Sequence, residues 1–183
     1  LLATADYLRQ EIAGNNVTFI NNCNINFTNI CTVRCGFCAF GKDADDPEAY
    51  ILDDEAILKK AQGAVDKGAH EFCVMGGVLP DADVEYYEHL LQLLKGEFPN
   101  IMIHGFSPTM IKDASVVSGI SVEDAFERLK SAGLDTLPGT AAEILTDRSR
   151  EIICPEKVTT QEWIDIVKTA HEVGIPGSAT IMY

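Results

Sequence analysis

Basic residues are scarce: lysine and arginine number 14 against 28 aspartates and glutamates, a formal net charge of −14. A surface of that sign repels phosphate backbones, so nucleic acid is not an expected partner. No apolar run approaches the roughly 20 residues that a membrane-spanning helix requires, and no basic stretch with an apolar core marks a secretory signal. The expected setting is the cytoplasm, with no membrane partner. The acidity itself reads as an ordinary solvated surface. An initiating methionine is also missing. The chain starts at Leu1-Leu2 and stops inside the apolar segment Thr180-Ile181-Met182-Tyr183, which reads as a piece of a longer protein.

Among the 183 residues, 46% are hydrophobic, enough for one domain with a substantial core. Helical periodicity is strong in four segments, each with a polar residue before it and a glycine at its end. The first follows Asp53 and Asp54 and stops at Gly68. The second follows Asp83 and stops at Gly96. The third is capped by Ser121 and stops at Gly133. The fourth begins at Thr159, three residues before Glu162 in a capping-box pattern, and stops at Gly174. Shorter helical pieces are expected near Pro108–Val117 and Ala141–Ile153. Between the helices lie short apolar runs that read as buried parallel strands: Val17–Ile20 continuing to Phe27, Phe72–Met75, Ile101–His104, Leu134–Leu137 and Ala179–Tyr183. Successive helix starts lie far enough apart for one βα unit each, which takes about 30 residues or more. Five strands and four crossovers match the first part of a (β/α)₈ barrel, with a doubly wound open sheet as the structural alternative.

Three of the six cysteines crowd into Cys31-Thr-Val-Arg-Cys35-Gly-Phe-Cys38. Disulfides suit short secreted chains; this crowding in a chain without a secretory signal fits a reduced compartment and a metal site. Three thiolates on one loop after a first strand can hold three irons of a 4Fe–4S cubane. The fourth iron is then free to chelate a small molecule through an amine and a carboxylate. A structural zinc site with Cys23 or a histidine as fourth ligand is the alternative. Arg34 and Lys42 read as solvated loop cations, Cys73 as a core residue in mid-strand, Cys154 as structural and Cys23 as a spare thiol. His70, His89 and His171 read as surface or boundary residues.

Further motifs follow the later strands: Met75-Gly76-Gly77-Val78, His104-Gly-Phe-Ser107-Pro108, and Pro138-Gly139-Thr140-Ala141-Ala142-Glu143. All fall at C-terminal strand ends, the face that carries the active site in βα barrels. Glycines at Gly76 and Gly77 let the backbone approach a ligand closely. Glu143 at a helix start also reads as a carboxylate satisfying backbone N–H groups, and His104 as a structural or core histidine.

The CxxxCxxC spacing in this position resembles the radical S-adenosylmethionine (SAM) superfamily. The stretch Asn24-Ile-Asn-Phe-Thr-Asn-Ile-Cys31 through Cys38-Ala-Phe-Gly41 resembles a narrow branch of it. That branch contains the FO synthases of deazaflavin biosynthesis and the futalosine enzymes of menaquinone biosynthesis. The resemblance continues through Leu134–Leu145, Ile153-Cys-Pro155, Thr159–Trp163 and Ala179–Tyr183.

Several expectations follow from the resemblance. Residues 1–183 would form the N-terminal part of a single radical SAM domain, a partial TIM-type barrel. Cys31, Cys35 and Cys38 would ligate a 4Fe–4S cluster. Phe37, Gly76, Gly77 and Glu143 would seat SAM, and His104 and Ser107 would contact substrate. Where the family often carries an acidic residue after the glycine pair this chain has Val78, and where it usually carries arginine this chain has Cys23. The implied reaction starts with an electron from a one-electron donor, which cleaves SAM to methionine and a 5′-deoxyadenosyl radical. The radical would take a hydrogen atom from the amino group of L-tyrosine. The 4-hydroxybenzyl fragment would then pass to 5-amino-6-(D-ribitylamino)uracil. A cyclic dehypoxanthinyl futalosine synthase of the menaquinone route is the second implied reading.

Overall fold

The computed structural model describes residues 1–140 and 142–182. Ala141 and Tyr183 lie outside the described residues, and with them the first position of one expected helical piece and the last of the fifth expected strand. In chain order the elements are α1 (Leu2–Ala13), β1 (Asn22–Asn26), α2 (Asp54–Val65), β2 (Glu71–Met75), α3 (Val84–Glu97), β3 (Met102–Gly105), α4 (Pro108–Ser118), α5 (Val122–Ala132), α6 (Asp147–Ile153) and α7 (Thr160–Val173).

The helices start where their caps dictate. Asp53 accepts from the Ala56 N–H at 2.9 Å and Asp83 from the Tyr86 N–H at 2.8 Å. Ser121 and Asp124 cap each other's backbone groups across the first turn of α5, as Thr159 and Glu162 do for α7. Gly133 and Gly174 end α5 and α7 in the left-handed conformation that glycine adopts without a Cβ penalty. α2 stops at Val65, short of Gly68, and Gly96 lies inside α3 rather than ending it.

The strands form a parallel sheet in the order β1-β2-β3. Asn24 pairs with Cys73, and Cys73 with His104. Ile25, Phe72, Val74 and Ile103 point to the helical layer and are buried in it. Phe72 meets the Phe98 ring edge-on beyond the end of α3, and Phe27 meets Tyr86, Tyr87 and Phe106 in the same way. Side chains alternate along a strand, so Asn24, Cys73 and His104 face the opposite side. Cys73 is therefore half-buried on that face, and its expected place in the core is corrected.

The fourth and fifth expected strands are present as isolated parallel bridges rather than full ladders. His104 bridges to Thr136, Leu137 to Gly177 and Glu143 to Ile181. Pro138 and Pro176 have no N–H to donate, which breaks ladder pairing on both sides of these bridges. Leu137 still donates to the Pro176 carbonyl at 2.9 Å, which keeps the βα order in register.

Two further differences concern the ends of elements. Val17, Phe19 and Ile20 are exposed and precede β1. β2 begins opposite Asn22, so the chain before Asn22 has no ladder to join. α1 was not signalled by the periodicity, and none of its residues is buried. The expected helical piece from residue 141 contracts to α6, because Glu143 takes a positive φ of 46° and Thr146 is extended. Among the described residues, no helix is long and apolar enough to cross a membrane.

α3 contributes Leu90, Leu91 and Leu94 to the core and packs against α5, α2 and α4. Leu91→Ala would leave a cavity at a fully buried position and should cost about 2–5 kcal/mol. Thermal unfolding followed by circular dichroism should show a midpoint lowered by roughly 5–15 °C.

Candidate functional site

The cysteine loop leaves β1 through a short segment that its own polar side chains hold down. The Thr28 hydroxyl donates to the Tyr50 carbonyl at 2.7 Å and accepts from the Ile30 N–H at 3.1 Å. The Asn29 side chain donates to the Glu48 carbonyl and accepts from the Tyr50 N–H. Both are buried, and together they fix where Cys31 begins.

The turn after β2 forms the opposite wall. Gly77 donates to the Thr28 carbonyl at 3.0 Å, and Thr32 donates to the Val78 carbonyl at 2.9 Å. The Val78 N–H points at Cys31 Sγ at 3.3 Å. A Cβ on Gly77 would collide with the Ile30 carbonyl and stand 2.8 Å from Cys31 Cβ; one on Gly76 would stand 3.0 Å from the Phe27 ring and the Thr28 carbonyl. Glycine is thus required at these positions by the loop's own packing.

A third support comes from α6 and the segment after it. Gly36 donates to the Ile153 carbonyl at 2.7 Å, and the Arg34 N–H to Glu156 Oε2 at 3.2 Å. Arg150, buried, donates to the carbonyls of Ala142 (2.7 Å) and Val158 (3.0 Å). It thereby ties together the neighbours of Glu143 and Lys157. Glu143 Oε1 accepts from Lys157 Nζ at 2.8 Å, and both side chains are almost fully buried. Lys157 Nζ also lies 5.3 Å from the centre of the Phe37 ring. The sequence cations nearer the cysteines are engaged elsewhere: Arg34 pairs with Asp43, and Lys42 with Asp46 and Glu48.

These parts enclose a cavity of about 160 Å³. Cys31, Cys35 and Cys38 line it together with Phe37, Gly76, Gly77, Ser107 and Glu143, so eight of the expected site residues meet in one place. His104 is not among its lining residues. It lies on the sheet, half-buried, with Nδ1 2.6 Å from Thr136 Oγ1, and burial pushes its pKa down. Ser107 also caps α4, accepting from the Met110 N–H. His70, His89 and His171 are exposed, in keeping with the surface or boundary places read from the sequence, and Cys154 is buried.

Lys157, Thr109 and Arg150 were not singled out by the sequence. Thr109 lies in α4, Arg150 in α6 and Lys157 in the loop after α6, and only the fold brings Thr109 and Lys157 to the cysteine cavity and Arg150 behind it. Thr109 is informative because its hydroxyl is buried at the cavity wall without a hydrogen-bond partner among the described residues. A buried unpaired hydroxyl costs free energy unless a ligand satisfies it.

The three thiols line one cavity, an arrangement that suits a cubane. Among the described residues, no group of three or more His, Cys, Asp or Glu side chains is drawn together closely enough for one metal ion. A cubane instead takes each thiolate on its own iron. Burial pushes the Cys35 thiol up to about 11, against the opposing pull of Lys157, and Cys154, Cys38 and Cys31 add to the rise. Ligation would relieve that cost, since a metal deprotonates its thiols outright.

Residues 25–183 match the family model of the radical SAM superfamily. The chain belongs to this superfamily. Solved structures with the same fold include the FeFe-hydrogenase maturase HydG from Carboxydothermus hydrogenoformans, with a TM-score of 0.71 and 19% identity over 94% of this chain and 38% of that one. Methylornithine synthase (PylB) gives a TM-score of 0.71 and 18% identity over 98% of this chain and 49% of that one. Curated relatives are closer in sequence. The 5-amino-6-(D-ribitylamino)uracil–L-tyrosine 4-hydroxyphenyl transferase of Methanothermobacter thermautotrophicus is 48% identical over the whole chain and half of its own length. The enzyme of the same name from Nostoc sp. is 46% identical over 98% of this chain and 47% of its own. The chain thus spans about half the length of the curated relatives it matches. The radical SAM family implies a 4Fe–4S cluster and SAM.

Two substitutions test this construction. Gly77→Ala should push the Ile30–Cys31 segment away, so that anaerobic reconstitution yields clearly less iron per chain. Arg150→Met leaves the Ala142 and Val158 carbonyls without their buried donor and should lower stability by about 3–5 kcal/mol, read by urea denaturation.

Proposed function

We propose that this radical SAM protein transfers the 4-hydroxybenzyl group of L-tyrosine to 5-amino-6-(D-ribitylamino)uracil, in deazaflavin (FO) biosynthesis. Residues 1–183 make up the N-terminal part of a single radical SAM domain in this reading, and the protein works in the cytoplasm with a one-electron donor. The observation that carries it is the cavity in which Cys31, Cys35 and Cys38 face the glycine pair and the Glu143–Lys157 ion pair. The transferase relatives, matched across the whole chain, support the choice of substrates over a futalosine nucleoside.

Cys31, Cys35 and Cys38 would hold three irons of the cluster and leave the fourth open to the amine and carboxylate of SAM. When bound and reduced, the cluster supplies the electron that breaks the S–C5′ bond of SAM. The chain's own residues do the positioning. Gly76 and Gly77 bring backbone close enough to meet the SAM amino group, which no side chain could do in that space. Lys157 is held by Glu143 and presents a cation to the cavity, suited to a carboxylate. Phe37 offers an aromatic face at the cavity rim for the adenine. Thr109 and Ser107 add hydroxyls on the α4 side. Phe40, Val33 and Met75 supply apolar lining that limits water around a reactive intermediate.

Anaerobic reconstitution of the full-length protein should give about four irons per chain with broad visible absorption. With SAM, dithionite, tyrosine and the ribitylaminouracil it should then form 5′-deoxyadenosine and the coupled product. Product from a futalosine-type nucleoside alone would overturn the reading. Cys35→Ala should lose both the absorption and SAM cleavage while the far-ultraviolet circular dichroism stays close to wild type.

A further inference from the structure

The inner face of the sheet is largely polar, with Met75 and Met102 its apolar members, where a βα barrel is ordinarily filled with branched apolar side chains. Along β1 every position on this face is an asparagine: Asn22, Asn24 and Asn26. The parallel register sets Asn24, Cys73, His104 and Thr136 in one row across the sheet. His104 and Thr136 are already hydrogen-bonded to each other at 2.6 Å, which holds the imidazole in one orientation. Met75, two residues beyond Cys73, lines the cysteine cavity. At roughly 3.3 Å per residue, the row therefore lies about 7 Å deeper in the barrel than that cavity.

The two levels differ in charge. The upper cavity carries the cysteine thiols, Glu143 and Lys157, a setting for a zwitterion such as the amino-acid end of SAM. The row below holds an amide, a thiol, a hydroxyl and an imidazole whose pKa burial pushes down, so that it favours the neutral ring. A neutral set of mixed donors and acceptors suits hydroxyl groups and suits neither a carboxylate nor an ammonium. Glu71 stands on the next row toward the N-terminal strand ends, within 3.4 Å of the Asn22 amide.

We infer that the row Asn24–Cys73–His104–Thr136 is the binding site for a polyhydroxylated chain, namely the ribityl tail of the pyrimidine substrate. This assignment rests on the proposed transferase function. The pyrimidine ring has to lie beside the cavity where the tyrosine-derived fragment arises, which leaves the deeper, uncharged row for the tail. An apolar lumen would leave the tail's hydroxyls unpaired, and buried polar groups without partners are costly.

The test is equilibrium binding to the full-length, iron-loaded protein, using 5-amino-6-(D-ribitylamino)uracil and, as the tail-less probe, 5,6-diaminouracil. Thr136→Val removes one hydroxyl at nearly constant volume, and Asn24→Leu removes one amide. Each should weaken binding of the ribitylated compound about tenfold, as loss of one hydrogen bond to the ligand does. Binding of 5,6-diaminouracil and of SAM should stay within about twofold, and Thr136→Ser should restore most of the loss. Iron content and circular dichroism identify any variant that has misfolded, and Thr136→Ser then serves as the folded comparison for Thr136→Val. Equal weakening of both pyrimidines, weakening of tyrosine binding instead, or no change in either variant would overturn the assignment. If wild type binds and converts the ribitylated pyrimidine while the variants do not differ from it, the site assignment alone fails. If wild type does not bind it at all, the transferase reading fails as well.

Discussion

A single missing carbon controls the candidate site. Gly77 sits so close to Ile30 and Cys31 that any side chain there would overlap backbone. The turn after β2 can therefore lie flat against the cysteine loop, with hydrogen bonds running both ways between Thr28, Thr32, Gly77 and Val78. That contact defines one wall of the cavity and turns the Val78 N–H toward Cys31 Sγ. A loop of three cysteines without it would be an exposed, mobile tract, because Phe37, Cys38 and Phe40 are otherwise poorly covered.

The other wall depends on a buried cation that never touches the cavity. Arg150 spends its guanidinium on backbone carbonyls on either side of the Glu143–Lys157 pair. A buried arginine is costly unless its donors are matched, so its presence there is best explained by what it holds in place. Pairing Lys157 with Glu143 also prevents a bare ammonium from being buried beside the thiols. The same pair keeps the cavity close to neutral until an anionic group arrives. Electrostatics and backbone packing thus serve one arrangement: cysteines on one side, an ordered cation on the other, and glycine backbone between them.

Much of this was readable in the sequence, for identifiable reasons. Asp53, Asp83, Ser121 and Thr159 announce helix starts through local hydrogen bonds that need no tertiary context. The cysteine spacing and the glycine pair are equally local. What escaped the sequence is long-range or irregular. Arg150 lies within a short helix with no strong periodic signal, and Lys157 in the loop after it. Thr109 looks like an ordinary first-turn residue until the fold buries it against the cavity. The weak fourth and fifth strands reflect Pro138 and Pro176, whose effect on pairing depends on which neighbour each strand meets. Cys73 was misplaced for a related reason. An apolar run such as Glu71–Met75 reads as buried on both faces, yet only Phe72 and Val74 reach the helical layer.

That misreading leads to the most consequential feature of the sheet. A strand whose inner face is Asn22, Asn24 and Asn26 gains little apolar burial from those positions, since amides are poor substitutes for branched apolar side chains in a barrel interior. Stability here comes from the other face, where Ile25, Phe27, Phe72 and Ile103 meet the helices. The inner face is thereby relieved of packing and can be polar. Binding is the simplest physical reason to keep it so, because a row of polar side chains there offers a ligand hydrogen bonds that branched apolar residues could not.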